Sequence, residues 1–175
     1  MFLSPHGMVR TADPDDAPAL LKAYRLAIPR AALLDPRREP VMPTQDELTE
    51  MLLGKEAAKG QFFTIEDLKG EIKGFCGLRG MNFEALFGEI ILLFLNEEDT
   101  LTPLGADALA FLTDRAFGRM RLQKLLVTCL DAEKRLRQCL CAAGFVSAGR
   151  QRQVLYSGGC WRDLETLVCF RPEGG

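Results

Sequence analysis

Two features of this sequence have residue types and spacing that could do chemistry. The first is Glu89, which with Gly88 leads into six consecutive apolar residues, Ile90–Leu95. A carboxylate at that point is a candidate general base, able to take a proton directly or through water. The second is the run Thr100-Leu101-Thr102-Pro103-Leu104-Gly105-Ala106. It follows a polar, acidic stretch containing Glu97, Glu98 and Asp99 and places Pro103 at the first position of a helix. A helix start presents unpaired N–H groups at a positive dipole end, which suits an anion, and Gly105 would let a phosphate come close to the backbone. On that expectation Gly105→Asp blocks the anion and leaves the fold intact.

These residues need elements to hold them. Met8–Thr11 reads as a first strand, and Asp13-Pro14-Asp15-Asp16 supplies capping acids for a helix with Ala17, Leu20, Leu21, Tyr24, Ala27 and Ile28 at helical spacing. Pro29 and Pro36 end it. Thr44 and Glu47 form a capping box for a second helix, whose apolar positions are Leu48, Met51 and Leu52. After Gly60 the pattern turns to strands: Gln61–Asp67, a turn at Lys69-Gly70, then Ile72–Leu78 as a hairpin partner. Ile90–Leu95 is apolar throughout, as a strand covered on both faces must be. Asn96–Thr102 reads as a loop and Leu104–Met120 as a helix. Leu122–Leu130 follows as a strand, and Ala132–Ala143 as a helix stopped by Gly144. Arg152–Tyr156 and Glu165–Arg171 close the chain as strands around Ser157-Gly158-Gly159. The order β-α-α-β-β-β-α-β-α-β-β predicts an α+β fold, a mixed central sheet with helices on both faces, in one domain spanning residues 1–175.

Composition excludes several function classes. With 175 residues, 47% hydrophobic and 26% charged, the chain is neither disordered nor fibrous. Its net charge of −2 leaves no electrostatic footprint for nucleic acid or an anionic membrane. No apolar run reaches the roughly 20 residues of a spanning helix, and MFLSPHGMVR lacks the apolar stretch of a signal peptide. The expectation is a cytoplasmic, soluble protein. Six cysteines without a CxxC motif, and His6 as the single histidine, predict free thiols and no metal site. Phe62, Phe63, Phe75, Phe111 and Phe117 read as core, and Trp161 as packing for the last hairpin.

The order of elements resembles the GNAT acetyltransferases, and the second half is most similar to their ribosomal-protein N-terminal acetyltransferase branch. The stretches that carry the likeness are Gly88-Glu89-Ile90, Leu104-Gly105-Ala106-Asp107-Ala108-Leu109, Leu122–Thr128, Ala142-Ala143-Gly144-Phe145 and Tyr156-Ser157-Gly158-Gly159-Cys160-Trp161-Arg162-Asp163. Together they span about residues 8 to 171.

The resemblance implies acetyl-CoA as co-substrate and direct acetyl transfer to a primary amine, either a protein N-terminus or a small molecule. It implies a backbone oxyanion donor within Leu93, Phe94 and Leu95, with Leu95 as the catalytic amide and Glu89 as base. Glu84 and Glu98 are weaker candidates for the base. It implies CoA contacts from Leu93, Phe94, Leu95, Thr100, Leu101, Thr102, Leu104, Gly105, Ala106, Glu133 and Leu140.

The chain departs from the family at named positions. The pyrophosphate pattern Q/R-x-x-G-x-G/A falls on Thr100-x-x-Pro103-x-Gly105, so Pro103 removes one N–H. One lost hydrogen bond to a charged group costs about 1.5–3 kcal/mol. Leu140 stands where the family has the tyrosine that protonates the departing thiolate, and Glu133 where it has an asparagine. Tyr156 or Cys141 could stand in as the acid. Arg115, Arg119, Arg121 and Lys124 complement a helix end, or could meet the 3′-phosphate of CoA. These departures keep a second reading open: a non-catalytic CoA-binding or regulatory protein of the same fold. The association state, a homodimer included, stays open at this stage.

Overall fold

The computed structural model describes residues 1–26, 43–52 and 60–172. Eight strands form one sheet: β1 (Phe2–Leu3), β2 (Gly7–Thr11), β3 (Gly60–Asp67), β4 (Ile72–Asn82), β5 (Phe87–Phe94), β6 (Lys124–Leu130), β7 (Val146–Ser157) and β8 (Cys160–Phe170). The four α-helices among the described residues are α1 (Ala17–Leu26), α2 (Gln45–Leu52), α3 (Pro103–Asp114) and α4 (Lys134–Ala142). The strand order is β1-β2-β3-β4-β5-β6-β8-β7, and every neighbouring pair is antiparallel except β5 and β6.

The helix starts follow from their caps. The Asp13 carboxylate accepts the Asp15 N–H at 3.0 Å, and Asp16 accepts the Asp13 N–H at 2.8 Å. Thr44 Oγ1 accepts the Glu47 N–H, and Glu47 Oε2 accepts the Thr44 N–H at 2.7 Å, the capping box that opens α2. The expected continuation of the first helix through Ala27 and Ile28, and the breaks at Pro29 and Pro36, lie outside the described residues.

Two cores sandwich the sheet. On one face α3 and α4 set Ala108, Leu109, Leu112, Leu136 and Leu140 against Ile90, Leu92, Leu125 and Val127. On the other, Leu20, Tyr24 and Leu48 of α1 and α2 pack on Phe75 and Leu93. Alternate residues of β5 thus enter alternate cores, which is why its sequence is apolar without a break.

Several elements differ from the sequence-based expectation: β1 is not among the expected strands, β4 runs four residues past Leu78, and β8 starts at Cys160 instead of Glu165. The loop between β5 and α3 holds a 3₁₀ turn, Glu97–Leu101, with Asn96 Oδ1 accepting the Glu98 N–H at 3.1 Å. The long helix from Leu104 changes to a π-helical turn at Arg115–Arg119, where the Met120 N–H reaches back to the Arg115 carbonyl. The strand β7 starts six residues earlier than Arg152, because Val146–Gln153 is exposed at every position and carries no apolar alternation to reveal it.

Candidate active site

The parallel pair β5/β6 is joined for only three registered positions: Phe87↔Lys124, Gly88↔Leu125 and Glu89↔Leu126. Beyond Glu89 the strands part, β5 staying with β4 up to Gly74↔Phe94 and β6 staying with β8 up to Leu130↔Leu164. A cleft of about 480 Å³ opens between them. Its walls are Leu92, Leu93, Phe94 and Leu95 on one side and Leu130, Glu133 and Leu136 on the other, with Ser157 and Arg162 at the β7–β8 tip.

The direction of each peptide group on β5 follows from the ladder. The Leu95 N–H donates to the Lys73 carbonyl at 2.8 Å, making that pair a hydrogen-bonded one. Antiparallel pairs alternate, so Leu93 opposite Phe75 is the next bonded pair, and the peptide groups of Leu92 and Phe94 point toward β6. Among the described residues no β6 register position answers them. The cleft therefore offers two backbone donors on an apolar wall, able to bind an extended polar chain or an oxygen gaining charge. This corrects the assignment of Leu95 as the oxyanion donor, since its N–H is already used inside the sheet.

A second cleft of about 460 Å³ lies between α3 and α4, lined among others by Leu101, Thr102, Ala106, Gln138 and Cys139. Thr100, which lines both, joins it to the first.

The structure thus gathers Leu93, Phe94, Leu95, Thr100 and Glu133 around the first cleft, and Thr100, Leu101, Thr102 and Ala106 around the second. It leaves four of the expected residues out of both. Glu89 sits opposite Arg79 across β4/β5, and its carboxylate accepts two hydrogen bonds from that guanidinium at 2.8 and 3.0 Å. It lies roughly 10 Å along the strand before Leu92. Leu140 is fully buried in the α3/α4 core. The side chain of Leu104 packs toward Gly7 on β2.

Gly105 is also turned inward: a Cβ there would lie 2.2 Å from the Thr100 carbonyl oxygen. The missing side chain lets the 3₁₀ turn pack onto α3, not a ligand onto the backbone. Its N–H donates to the Thr102 carbonyl at 3.0 Å, and Pro103 has none. Leu104 retains the one N–H of this helix start that position leaves without an intrahelical partner.

The substitute acids fare no better. Tyr156 alternates with Ser157 on β7, so it faces away from the cleft, exposed, with its ring edge-on to Trp161 at 5.6 Å. Cys141 is exposed and lines neither cleft. Glu84 lies in the β4–β5 turn, and Glu98 pairs with Arg135 at 3.7 Å. Arg115 is spent on Gln61 and the Phe63 ring, and Lys124 on the Phe87 ring.

Leu26, Leu130, Leu136, Ser157 and Arg162 were not among the expected residues. Leu26 and Leu136 arrive on α1 and α4, while Leu130, Ser157 and Arg162 meet through the β6–β8–β7 register, which no local pattern displays. Among the described residues no group of three or more His, Cys, Asp or Glu could hold a metal ion, and no helix is long and apolar enough to cross a membrane.

A mixed sheet whose central parallel pair opens into a cleft, with a helix starting at its mouth, is the GNAT acetyltransferase fold, and this chain has it. Among solved structures, it is similar to the spermidine N-acetyltransferase of Vibrio cholerae in complex with CoA and spermine (TM-score 0.78, 16% identity, 96% of this chain and 97% of that one). A dodecameric structure of spermidine N-acetyltransferase from the same organism matches at TM-score 0.77 and 17% identity, covering 96% and 95%. Glutamate-to-glutamine mutant forms of its spermidine/spermine N-acetyltransferase SpeG match at 0.76 and 15%, over 94% and 95%. These matches lend no support to the narrower resemblance to the ribosomal-protein branch. No protein-family model matches the chain, and no curated protein matches it in sequence.

Proposed function

We propose that the chain is an acyl-CoA-dependent N-acetyltransferase that moves the acetyl group of acetyl-CoA directly to a primary amine. The observation that carries this reading is the splay of β5 from β6, with the Leu92 and Phe94 peptide groups directed into an apolar cleft. The residues present fit an acyl-CoA: Leu92, Phe94, Leu130 and Leu136 suit an aliphatic amide arm, and the adjoining α3/α4 cleft extends the groove. A complex of one similar structure with CoA and spermine supports the choice of co-substrate.

In this reading the Phe94 N–H stabilises the carbonyl oxygen as it gains charge. Glu133 replaces Glu89 as base. Its Oε2 accepts the Leu130 N–H at 2.7 Å, which fixes the carboxylate on the cleft wall. The amine nitrogen attacks the thioester carbon, its proton passes to Glu133, and the C–S bond breaks to release the thiolate.

The setting proposed is the cytoplasm, supported by six cysteines that are all free. Association of several copies is supported by the dodecameric similar structure.

A second reading, a CoA-binding protein without turnover, is favoured by Leu140: the position to which the resemblance assigns the thiolate-protonating tyrosine carries an apolar side chain, buried and outside both clefts. Thermal unfolding with and without millimolar acetyl-CoA, against CoA and ATP, tests the shared premise. Ligand at a hundred times its Kd stabilises by about 2.7 kcal/mol. The expected result is an upward Tm shift with acetyl-CoA and CoA and none with ATP. No shift overturns both readings, and thiol release from acetyl-CoA in the presence of amines separates them.

A further inference from the structure

Arg162 differs from most arginines whose carboxylate partners are described; Arg135, 3.5 Å from Glu97 and 3.7 Å from Glu98, is the other loosely paired one. Arg10, Arg79, Arg137 and Arg150 each hold a carboxylate within hydrogen-bonding distance, at 2.8 Å to Asp16, 2.8 Å to Glu89, 2.7 Å to Glu165 and 3.0 Å to Asp163. Arg162, the one arginine among the described residues that lines the β5/β6 cleft, has Asp131 at 3.9 Å, too far for a hydrogen bond. Both side chains are 29% exposed, so the guanidinium is partly withdrawn from water without a close carboxylate. A guanidinium carries five donors in a planar fork that matches a carboxylate. The backbone that carries it is held in register. Arg162 pairs with Leu155 across β7/β8, and Leu155 is packed under the hairpin against Leu130 and Leu164.

The rest of the charge lining the cleft, among the described residues, is negative. Glu133 is anchored by the Leu130 N–H, and Glu97 lies near Arg135 at 3.5 Å. A cation and two carboxylates facing a common space complement a molecule that bears both charges. A polycation would meet Arg162, and a simple amine would leave it desolvated and unused.

We infer that Arg162 selects the acceptor, its guanidinium taking the carboxylate of a molecule that carries both an amine and a carboxylate, an amino-acid-like zwitterion. The inference rests on the acetyl transfer proposed above and names its substrate class.

Matched amines test it: L-phenylalanine against phenethylamine, and L-lysine against cadaverine, with spermidine alongside. Each is followed by thiol release from acetyl-CoA and by saturation-transfer NMR in the presence of CoA. The carboxylate-bearing member of each pair should bind and turn over about tenfold to a hundredfold better, the range of a charge-assisted hydrogen bond. Arg162→Gln should abolish that preference while the acetyl-CoA thermal shift persists. Asp131→Asn should strengthen it by removing the competing anion. Equal use of both members, a preference for spermidine, or a preference that survives Arg162→Gln overturns the inference and leaves acetyl transfer standing. No thermal shift with acetyl-CoA removes acetyl transfer instead. Amino-acid binding lost in Arg162→Gln would then still mark a carboxylate site, and no binding by the wild type would end it.

Discussion

A methyl group at position 105 would sit 2.2 Å from the Thr100 carbonyl oxygen and 2.9 Å from its carbon, and neither is free to move away. Both atoms belong to the 3₁₀ turn that joins the two clefts, so the collision would displace the groove floor as well as strain α3. Gly105→Ala should therefore lose about 1–3 kcal/mol, the usual cost of overpacking, read as a lower urea midpoint without any ligand. This reverses the expectation that an acidic replacement here spares the fold. An unchanged midpoint would mean that the turn yields and that Gly105 is dispensable to packing. The lesson at this scale concerns glycine in general. Its sequence position marks a close approach, but the partner in that approach is visible only once the chain is folded.

The elements are tied by a buried polar clamp. Arg10 on β2 donates to both oxygens of Asp16 at 2.8 Å and to Glu66 on β3 at 2.7 Å, while Thr64 Oγ1 donates to Asp16 at 2.7 Å. Burial pushes the Asp16 carboxyl up, but the bonds from Arg10, the Asp13 N–H and Thr64 together hold it below the ordinary carboxylate range. A group depressed in the folded state contributes stability that is complete above its unfolded value near 4 and is lost as pH falls through the folded one. Urea midpoints taken from pH 6 down to pH 2 should fall below about pH 4, and Asp16→Asn should flatten that part of the curve. Asp16→Ala should cost about 3 kcal/mol at pH 7, the low end for a broken buried pair because Arg10 is partly exposed. A variant as stable as the parent would show the clamp to be idle.

Cap residues at Asp13 and Thr44, the turn at Gly144 and the unbroken apolar run of β5 were all legible, because each acts within a few residues of itself. The first half of the edge strand β7 was not, since exposure at every position there erases its period, and only Arg152–Tyr156 reads as strand. The acceptor end of the cleft was not legible either. Arg162 reaches it only through the pairings Leu155↔Arg162 and Leu130↔Leu164, and register between distant segments leaves no local trace.

At the scale of the whole molecule the sheet is two blocks, β1 to β5 and β6 with β8 and β7, held edge to edge by three registered positions and by the helices that span them. Opening between the blocks is what makes room for a ligand. Amide hydrogen exchange should show it directly: protection at Leu92, Phe94 and the end of β6 should be low in the free protein and rise with saturating acetyl-CoA. Equal protection in both states would place the ligand elsewhere.

The order of the second block has a consequence for synthesis. β8 lies between β6 and β7, so the last described strand to leave the ribosome is an interior one. Until residues 160–170 emerge, β6 has a bare outer edge and β7 has no neighbour at all. A nascent chain stopped short of β8 has lost more than a border strand: it lacks the shared partner that joins β7 to the sheet.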